Sequence, residues 1–228
     1  MKKLLLSSLC SFLLIGCTAS SHSPNIDQYL NYTSGQTMGD ATSFYWYTER
    51  LVLPNTAADY VNSGEYGGYQ TNYRWDEGSL RELKREGSLL SNDGLLVPYS
   101  VHLRFNKEGE AIYQQYRVDG KVLPLSKEQL AVYLEQSQHV ISITKDNSGL
   151  SFIQGVWDGE VFASCTGNQY RQVDFDQSLQ SVDMSASSQK HYLAFLGKVR
   201  NNRMYVEKLL MQADENHGCV NKPQLIED

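Results

Sequence analysis

Most of the chain beyond its first forty residues consists of short segments in which apolar and polar side chains alternate. In residues 69–75, Tyr69, Tyr73 and Trp75 alternate with polar residues that include Asn72 and Arg74. A period of two puts each set of side chains on one face of a β-strand. Further strands are predicted at 44–53, 80–90, 101–105 and 112–118. A chain with this many alternating segments has to fold around an extended sheet.

Turn sequences between these segments indicate how neighbouring strands run. Asn106 and Gly109 stand at the first and fourth positions of a type I turn. Asp158-Gly159, between segments 152–157 and 160–165, is typical of a tight hairpin. Asn201-Asn202 predicts another hairpin between 192–199 and 203–210. Because strands joined by such short turns are antiparallel, the predicted sheet is antiparallel.

One segment has a helical pattern instead. Ser126 with Gln129 three residues later forms a capping box. The residues that then share one helical face are Leu130, Tyr133, Leu134, Ser137 and Ile141. A helix is predicted from about residue 127 to about residue 144. The predicted fold class is therefore α+β, a mainly antiparallel β-sheet with one principal α-helix packed on it.

The segment 166–190 is long, polar and rich in Ser, Gln and Asp. Phe175, Leu179 and Val182 favour a short helix inside it, so partial order is expected. Asp174, Asp176 and Asp183 suggest a calcium loop, but the sixth position counted from Asp174 is Leu179 and not glycine. A solvated acidic loop is the better interpretation.

The first sixteen residues read as an export signal. Lys2 and Lys3 precede an apolar run at 4–15, which as a helix would extend only about 18 Å and cannot cross a hydrocarbon core of about 30 Å. A basic start, a short apolar run and a small residue before the cleavage point define such a signal. Residues 1–16 are therefore predicted to be removed.

Leu14-Ile15-Gly16-Cys17 resembles the lipobox of bacterial lipoprotein precursors. The resemblance implies that Cys17 becomes the first residue, carries diacylglycerol, and is acylated on its new amine with a fatty acid such as palmitate. Thr18 stands where inner-membrane retention typically shows Asp, which implies the periplasmic face of the outer membrane. The alternative is an ordinary secretory signal with an incidental cysteine.

These signals divide the chain into four predicted parts. Residues 1–16 are the signal peptide, 17–40 the lipidated N-terminus and a flexible tether, 41–222 a single α+β domain, and 223–228 a C-terminal tail. The full chain has a net charge of −6, and loss of Lys2 and Lys3 makes it two units more negative. Such a charge argues against binding nucleic acid.

Only Cys165 and Cys219 remain for the folded domain, since Cys10 leaves with the signal and Cys17 carries lipid. An oxidising periplasm favours pairing them in a disulfide. Two separate buried thiols are the alternative. His217, Cys165 and Cys219 are residue types that can bind a metal ion, but a disulfide would leave neither thiol free to do so. We expect no metal and no cofactor.

Motifs of catalysis are missing from the sequence. It contains no G-x-S-x-G, no H-E-x-x-H, no G-x-x-x-x-G-K and no G-x-G-x-x-G. Catalytic triads can assemble from residues that are distant in sequence, so the missing motifs make an enzyme less expected but do not exclude one. The fifteen tyrosines and three tryptophans suit sugar stacking or protein contact as well as a core. No catalytic residue is predicted.

Four local patterns between about residues 43 and 219 carry a family resemblance. They are Tyr73-Arg74-Trp75 before a turn, Leu103-Arg104-Phe105 with Glu108-Gly109-Glu110, Leu125-Ser126 with Gln129, and Cys165-Thr166. With them the chain resembles the YjaH-like family, uncharacterised lipoproteins of gamma-proteobacteria that contain a domain of unknown function. The resemblance implies an envelope location and brings no catalytic residues.

Three functions remain as hypotheses. The first is a non-catalytic outer-membrane lipoprotein that contacts another envelope protein or supports the envelope. The second is a module that binds a glycan or another small ligand, and the third is an enzyme directed at the cell wall. A broad exposed apolar patch would favour the first, an aromatic-lined cleft the second, and a cleft pairing histidine with carboxylates the third.

Overall fold

The computed structural model describes residues 28–176, 179 and 190–227. Within these residues the chain forms one α-helix and fourteen β-strands. They are β1 (Tyr29–Met38), β2 (Ala41–Arg50), β3 (Leu53–Asn62), β4 (Gly67–Asp76), β5 (Ser79–Leu90), β6 (Leu96–Phe105), β7 (Ala111–Val118), β8 (Lys121–Leu123), α1 (Lys127–Asp146), β9 (Ser151–Trp157), β10 (Phe162–Ser164), β11 (Gln169–Tyr170), β12 (Gln172–Phe175), β13 (His191–Arg200) and β14 (Arg203–Asp214).

The predicted combination of a mostly antiparallel sheet and one helix is confirmed. Strands make up 59% of the structure, so the protein is richer in β-structure than the α+β label implies. The first eight strands form one sheet in chain order, which we call the large sheet. The other six form the small sheet, in the order β11-β10-β9-β13-β14-β12. Only β12, paired with β14, runs parallel to a described neighbour.

Two predicted hairpins of the small sheet are confirmed, although β9 and β10 are joined by the four residues 158–161 and not by a two-residue turn at Asp158-Gly159. The β9–β10 connection contains Asp158, whose Oδ1 accepts hydrogen bonds from the backbone N–H groups of Glu160 and Val161 at 2.9 and 2.7 Å. The β13–β14 turn consists of Asn201 and Asn202, with φ values of 51° and 60°. Asparagine tolerates this left-handed conformation, which matches the twist of a hairpin.

The helix α1 begins at the predicted residue and ends two residues later than predicted. Ser126 accepts a hydrogen bond from the N–H of Gln129, whose side chain accepts one from the Ser126 N–H in return. The most buried helix residues are Ser137, Val140 and Thr144. They face the large sheet, where Val140 joins a core that contains Leu83 and Leu103. We call this side of the sheet the inner face.

An ion pair holds the C-terminal end of α1 on the inner face. Lys145 Nζ lies 2.7 Å from Oε2 of Glu49 in β2, and the Tyr32 hydroxyl donates to Glu49 Oε1 at 2.9 Å. Burial acts to raise the pKa of Glu49, but Lys145 and Tyr32 outweigh it and keep that pKa below its ordinary value. Glu49 therefore stays ionised and fixes where the helix ends.

The outer face of the large sheet packs against the small sheet. Phe44 of β2 stacks on Phe152 of β9 with ring centroids 4.3 Å apart, and both belong to a core with Tyr192. The sheets approach so closely that a Cβ on Gly35 would lie 2.4 Å from the Leu210 side chain. A third core, around Phe162 and other residues, lies on the opposite face of the small sheet. The order of layers is helix, large sheet, small sheet.

Strand boundaries differ from prediction at the start of the fold. The strand predicted at 44–53 is interrupted, because the chain turns at Leu51 and Val52 between β2 and β3. The flexible tether predicted for 17–40 overlaps β1, whose residues all pair with β2. β1 carries few large apolar side chains, so its sequence gave little strand signal. Residues 17–27, with Cys17, lie outside the described residues.

In the segment 166–190, the predicted short helix can be compared with the structure only at Phe175 and Leu179, because residues 177–178 and 180–189 lie outside the described residues. Phe175 ends strand β12 and pairs with Val206 of β14. Leu179 packs against the core of the small sheet. Val182 lies outside the described residues.

The predicted disulfide is confirmed. Cys165 and Cys219 are joined with a Cα–Cα distance of 6.0 Å. The bond precedes residues 220–227, which we call the C-terminal strap. The strap is held by paired amide contacts, because Gln154 bonds both the N–H and the carbonyl of Val220, and Asn72 bonds the Pro223 carbonyl and the Leu225 N–H. The tail predicted at 223–228 starts at this point, with Pro223 buried.

The disulfide closes a loop of 54 positions, so we expect its removal to destabilise the protein. A chain-entropy argument gives roughly 4 kcal/mol for a loop of this size. We predict that the C165A/C219A variant unfolds at a lower urea concentration than the oxidised protein and exchanges the Leu225 amide hydrogen faster. Wild type kept reduced should match the variant. An unchanged urea midpoint would contradict the prediction.

Candidate functional site

A polar row crosses the inner face of the large sheet beneath α1. Tyr45, Asp59, Thr71 and Arg85 are direct neighbours in the register of β2, β3, β4 and β5. All four side chains are buried. Alternate residues of a strand point to opposite faces, so Arg85 points to the same face as Leu83, two residues before it in β5.

Arg85 is the centre of this row. Its Nε donates to Thr71 Oγ1 at 2.8 Å, and its Nη2 donates to Gln136 Oε1 of α1 at 2.9 Å. The guanidinium carbon lies 3.8 Å from the ring centroid of Tyr69 and 5.1 Å from that of Tyr133. Stacking on aromatic faces together with hydrogen bonds suits a guanidinium that is removed from water.

Asp59 supplies the negative charge of the same region. The Tyr73 hydroxyl donates to Asp59 Oδ2 at 2.7 Å. Burial raises the pKa of the Asp59 carboxyl above its ordinary value, although Arg85 and the hydrogen bond from Tyr73 oppose the shift. We call Asp59, Tyr69, Tyr73, Arg85 and Tyr133 the arginine cluster. Since its members link the sheet to the helix and Asp59 and Arg85 are closed to solvent, its role is to position α1.

The basic residues Arg74, Arg81, Lys84 and Arg85 alternate with acidic ones in the sequence, which predicts cross-strand ion pairs on a solvated sheet face. The structure confirms this prediction in part. Arg74 forms an ion pair with Glu82 across the outer face, and Arg81 Nε lies 3.8 Å from Asp76 Oδ2. For Arg85 the interpretation as an exposed cross-strand ion pair is wrong, because its side chain points to the inner face. The sequence did contain a sign of this orientation. Arg85 is two residues from Leu83 in β5, so the two side chains lie on the same face of the sheet.

A histidine and a carboxylate meet on the outer face. His102 Nε2 lies 2.7 Å from Glu82 Oε1, and Glu82 Oε2 contacts Arg74. The His102 ring packs edge-on against Tyr113 at 5.1 Å. Glu82 is nearly buried, whereas His102 and Arg74 are partly exposed. Glu82 thus accepts contacts from two neighbouring side chains, and the arrangement is explained as a polar network on a sheet face.

An aromatic-lined cleft lies beside the disulfide, between the two sheets. Its volume is about 580 Å³, within the range common for small-molecule sites. Its aromatic walls are Trp46, Phe152 and Tyr170, and Trp46 meets Phe152 edge-on at 5.8 Å. Gln154 also lines the cleft, but its amide already binds Val220. Lys222 adds a polar group at the same site.

Exposed apolar side chains gather at the last two strands of the large sheet. Ile112 is 68% exposed and Val122 is 64% exposed, with Tyr113 and Leu123 also exposed. We call these four residues the β7–β8 edge. β8 pairs with β7 on one side, and among the described residues no strand pairs with its other side. Unpaired backbone groups beside apolar side chains are features that strand addition by another chain can use.

The structure separates the other residues considered from the sequence. Asp174 lies 3.4 Å from Arg203, and Asp183 is outside the described residues. The His217 ring lies against Tyr192 with centroids 4.3 Å apart. The described part of the chain contains no group of three or more His, Cys, Asp or Glu side chains that could hold a metal ion. It also contains no helix long and apolar enough to cross a membrane.

These features define a disulfide-linked protein of two packed β-sheets and one helix, with a cleft and an open sheet edge at its surface. The chain belongs to the family described as Protein of unknown function (DUF1481), whose match covers residues 33–224. The match therefore includes both sheets, the helix and most of the C-terminal strap. Comparison with curated proteins gave no match. Comparison with solved structures likewise gave no match.

The arginine cluster gives a testable pH dependence. We predict that R85M lowers the free energy of unfolding by about 3 kcal/mol, because the buried Asp59 carboxyl loses the positive charge beside it. Burial raises the pKa of Asp59 and Arg85 opposes that shift, so R85M should raise this pKa further. An acid whose pKa is raised in the folded state loses its contribution to stability as pH rises, so the loss in R85M should be larger at about pH 8 than at about pH 5. Urea unfolding at both pH values measures this.

Two further variants control the experiment. Adding D59N to R85M should recover part of the lost stability and remove its pH dependence, since no buried carboxylate remains. R104M changes an exposed arginine on the neighbouring strand and should have little effect. Equal destabilisation by R85M at both pH values would contradict the assignment.

Proposed function

We propose that this protein is a lipid-anchored periplasmic lipoprotein of the outer membrane whose folded domain is a non-catalytic protein-interaction module. The observation that carries the interaction role is the β7–β8 edge, where apolar side chains and an unpaired strand coincide. The anchor rests on Leu14-Ile15-Gly16-Cys17 and on the YjaH-like, gamma-proteobacterial resemblance. The disulfide between Cys165 and Cys219 supports an oxidising compartment such as the periplasm.

The two edges of the large sheet differ in how well they are covered. At β1, the Thr33 hydroxyl accepts a hydrogen bond from the Phe152 N–H at 2.9 Å, so the small sheet lies against that edge. At β8, the backbone side away from β7 has no strand partner in the part of the chain that the structure describes. Natural sheets usually protect such an edge with charge or with very short strands. β8 is short and begins with Lys121, but Val122 and Leu123 leave its other two positions apolar and exposed.

The partner that fits this edge is an extended segment of another envelope protein. Strand addition would satisfy the open backbone groups of β8, and an apolar side chain of the partner would cover Val122. Arg117 pairs with Val122 in the register of β7 and β8 and is exposed. An acidic residue in the partner would therefore find a counter-charge beside the apolar contact.

A second candidate function is favoured by the cleft beside the disulfide. Trp46, Phe152 and Tyr170 offer aromatic surfaces on which a sugar ring could stack, and the cleft has the volume of a small-ligand site. This function would use the cleft between the two sheets and would not require the β7–β8 edge. Binding of a glycan that does not depend on the β7–β8 edge would favour this second function.

The anchor predicts covalent labelling by fatty acid. Cells fed labelled palmitate should incorporate label into the wild-type protein and into C10S, which changes a cysteine of the signal. C17S should lose the label and leave the membrane fraction, because the sulfur that would carry the diacylglycerol is gone. Fluorography and flotation on a sucrose gradient measure both effects. Unchanged label and flotation in C17S would refute the lipid anchor.

The β7–β8 edge predicts a site-dependent crosslink. A photo-crosslinking amino acid placed at Tyr113 in the full-length lipidated protein should capture one defined envelope protein in cells. Adding V122K should reduce that product about tenfold, as loss of roughly 1.4 kcal/mol of binding would do. V132K makes the same change at an exposed valine of α1 and should leave the product intact. Mass spectrometry identifies the partner.

Two outcomes would contradict the interaction role. Capture of bulk lipoproteins alone would show that the edge has no specific partner. Equal capture by V122K and V132K would show that the partner does not bind at β8.

A further inference from the structure

The turn between β2 and β3 has an unusual composition. Arg50 pairs with Leu53, so Leu51 and Val52 alone form a two-residue turn, with φ values of 49° and 69°. Positive φ at both central positions is the type I′ conformation, which favours Asn-Gly. A β-branched residue is an outlier there, because its Cβ substituents crowd the backbone. Val52 therefore adopts a strained backbone conformation at the protein surface.

The same chain builds comparable turns from suitable residues elsewhere. Asp119 and Gly120 connect β7 and β8 with φ values of 49° and 75°, and Asn201 and Asn202 connect β13 and β14. These residues adopt positive φ at little cost. At Leu51-Val52 the chain keeps two apolar residues where folding alone favours polar ones. Retained strain of this kind is found at functional positions.

The turn is the centre of an exposed apolar surface. Val52 is 76% exposed and Leu51 is 58% exposed, and the neighbouring residues Tyr29, Leu30 and Leu53 are also exposed. Tyr29 and Leu30 pair with Arg50 and Glu49 in the register of β1 and β2, so the five side chains lie at one end of three adjacent strands. We call Tyr29, Leu30, Leu51, Val52 and Leu53 the apolar tip.

Several charged residues at this end of the sheet lie beside an opposite charge. Lys107 Nζ lies 3.4 Å from Glu77 Oε2, and Arg81 Nε lies 3.8 Å from Oδ2 of Asp76, the last residue of β4. Arg50 lies over the Tyr29 ring at 5.8 Å. Neighbouring charges of both signs leave the tip without a strong field of either sign. An uncharged apolar phase suits such a surface better than a strongly charged partner.

The chain enters the fold beside this surface. The N–H of Leu51 donates to the carbonyl of Gln28 at 3.2 Å, so the tip touches the first described residue. Ten residues separate Gln28 from Cys17. A chain of that length reaches at most about 40 Å. A lipid on Cys17 would thus hold the apolar tip close to the bilayer surface.

We infer that the apolar tip inserts into the interfacial region of the same bilayer that holds the acyl chains of Cys17. The inference rests on the lipid anchor of the proposed function and adds a second, non-covalent contact to it. Tethering makes this contact intramolecular, so an insertion too weak to recruit a free protein is enough to hold an anchored one. Insertion also accounts for apolar residues in a turn whose geometry disfavours them.

Insertion would fix the orientation of the domain. The connections β2–β3 and β4–β5 lie at the end of the large sheet where β1 begins, and β1–β2 and β3–β4 lie at the other end. With the tip in the bilayer, the strands would stand away from the membrane. β8 pairs with the last residues of β7 and would lie at the end of the sheet away from the bilayer, where it would face a partner in the periplasm.

The test uses the full mature lipidated protein in vesicles of phosphatidylethanolamine and phosphatidylglycerol that contain a diazirine-bearing phospholipid. After photolysis, mass spectrometry should find lipid adducts on residues 51–53. L51N/V52G should lower the adducts at residues 29–30 and 49–53 by about tenfold, since apolar area is removed from the interface. The same variant should raise Tm by about 2 °C, because Asn-Gly relieves the strained turn.

Leu95 provides the matched control. It is 67% exposed in the β5–β6 connection, at the opposite end of the large sheet. L95N should leave the adducts at the tip unchanged, and the wild-type protein should carry no adduct at Leu95. Vesicles of phosphatidylcholine alone should give similar labelling of the tip, since the contact is apolar.

The possible failures are distinguishable. Palmitate incorporation without lipid adducts at the tip would overturn the inference and leave the anchor standing. If the tip depends on the anchor, C17S should lose both the palmitate and the lipid adducts. Palmitate retained in C17S would show that Cys17 is not the lipidated residue and would overturn the anchor itself. A protein crosslink at the tip in place of lipid adducts would identify a partner surface and overturn insertion.

Discussion

The fold depends on one constraint, which is that the first three strands of the large sheet bury both of their faces. Phe44 on the outer face and Tyr45 on the inner face are adjacent in β2 and both are buried. Neither face can be covered by the large sheet itself, so α1 has to lie on one side and the small sheet on the other. The Lys145–Glu49 ion pair and the close approach at Gly35 are the local means by which each layer is held.

The arginine cluster belongs to this constraint. A polar row under a helix costs desolvation, and hydrogen bonds from Arg85 to Thr71 and Gln136 together with aromatic stacking offset part of that cost. Asp59 Oδ1 is buried without a hydrogen-bond partner among the described residues. Because Gln136 lies on α1 and Thr71 on β4, the cluster specifies where the helix sits as well as how firmly. An all-apolar interface would allow the helix more positions on the sheet.

Much of the architecture could be predicted from local sequence, since local chemistry decides it. The capping box at Ser126 and the turn at Asn201-Asn202 are set by hydrogen bonds and φ preferences within a few residues. The disulfide followed from elimination among four cysteines. Arg85 and Asp59 could not be paired in this way, because their proximity depends on the register of three strands. Likewise β1 carries little apolar signal, and its place is set by pairing with β2.

The failure at Leu51-Val52 has a different cause, and it bears on function. A predicted strand ran through these residues because nothing in their chemistry signals a turn, yet the register of β2 with β3 requires one. Where local preference and tertiary structure disagree, the sequence is under a demand other than folding stability. Both side chains are exposed beside Gln28, where the described chain begins. In the proposed lipid-anchored protein this is where the domain first meets the membrane, and membrane contact is the demand that we infer. The β7–β8 edge, by contrast, breaks no backbone preference, since its turn is built from Asp119 and Gly120. The two exposed apolar surfaces therefore differ in kind: one accepts strain to place apolar groups at a tip, and the other leaves an ordinary strand edge open for pairing.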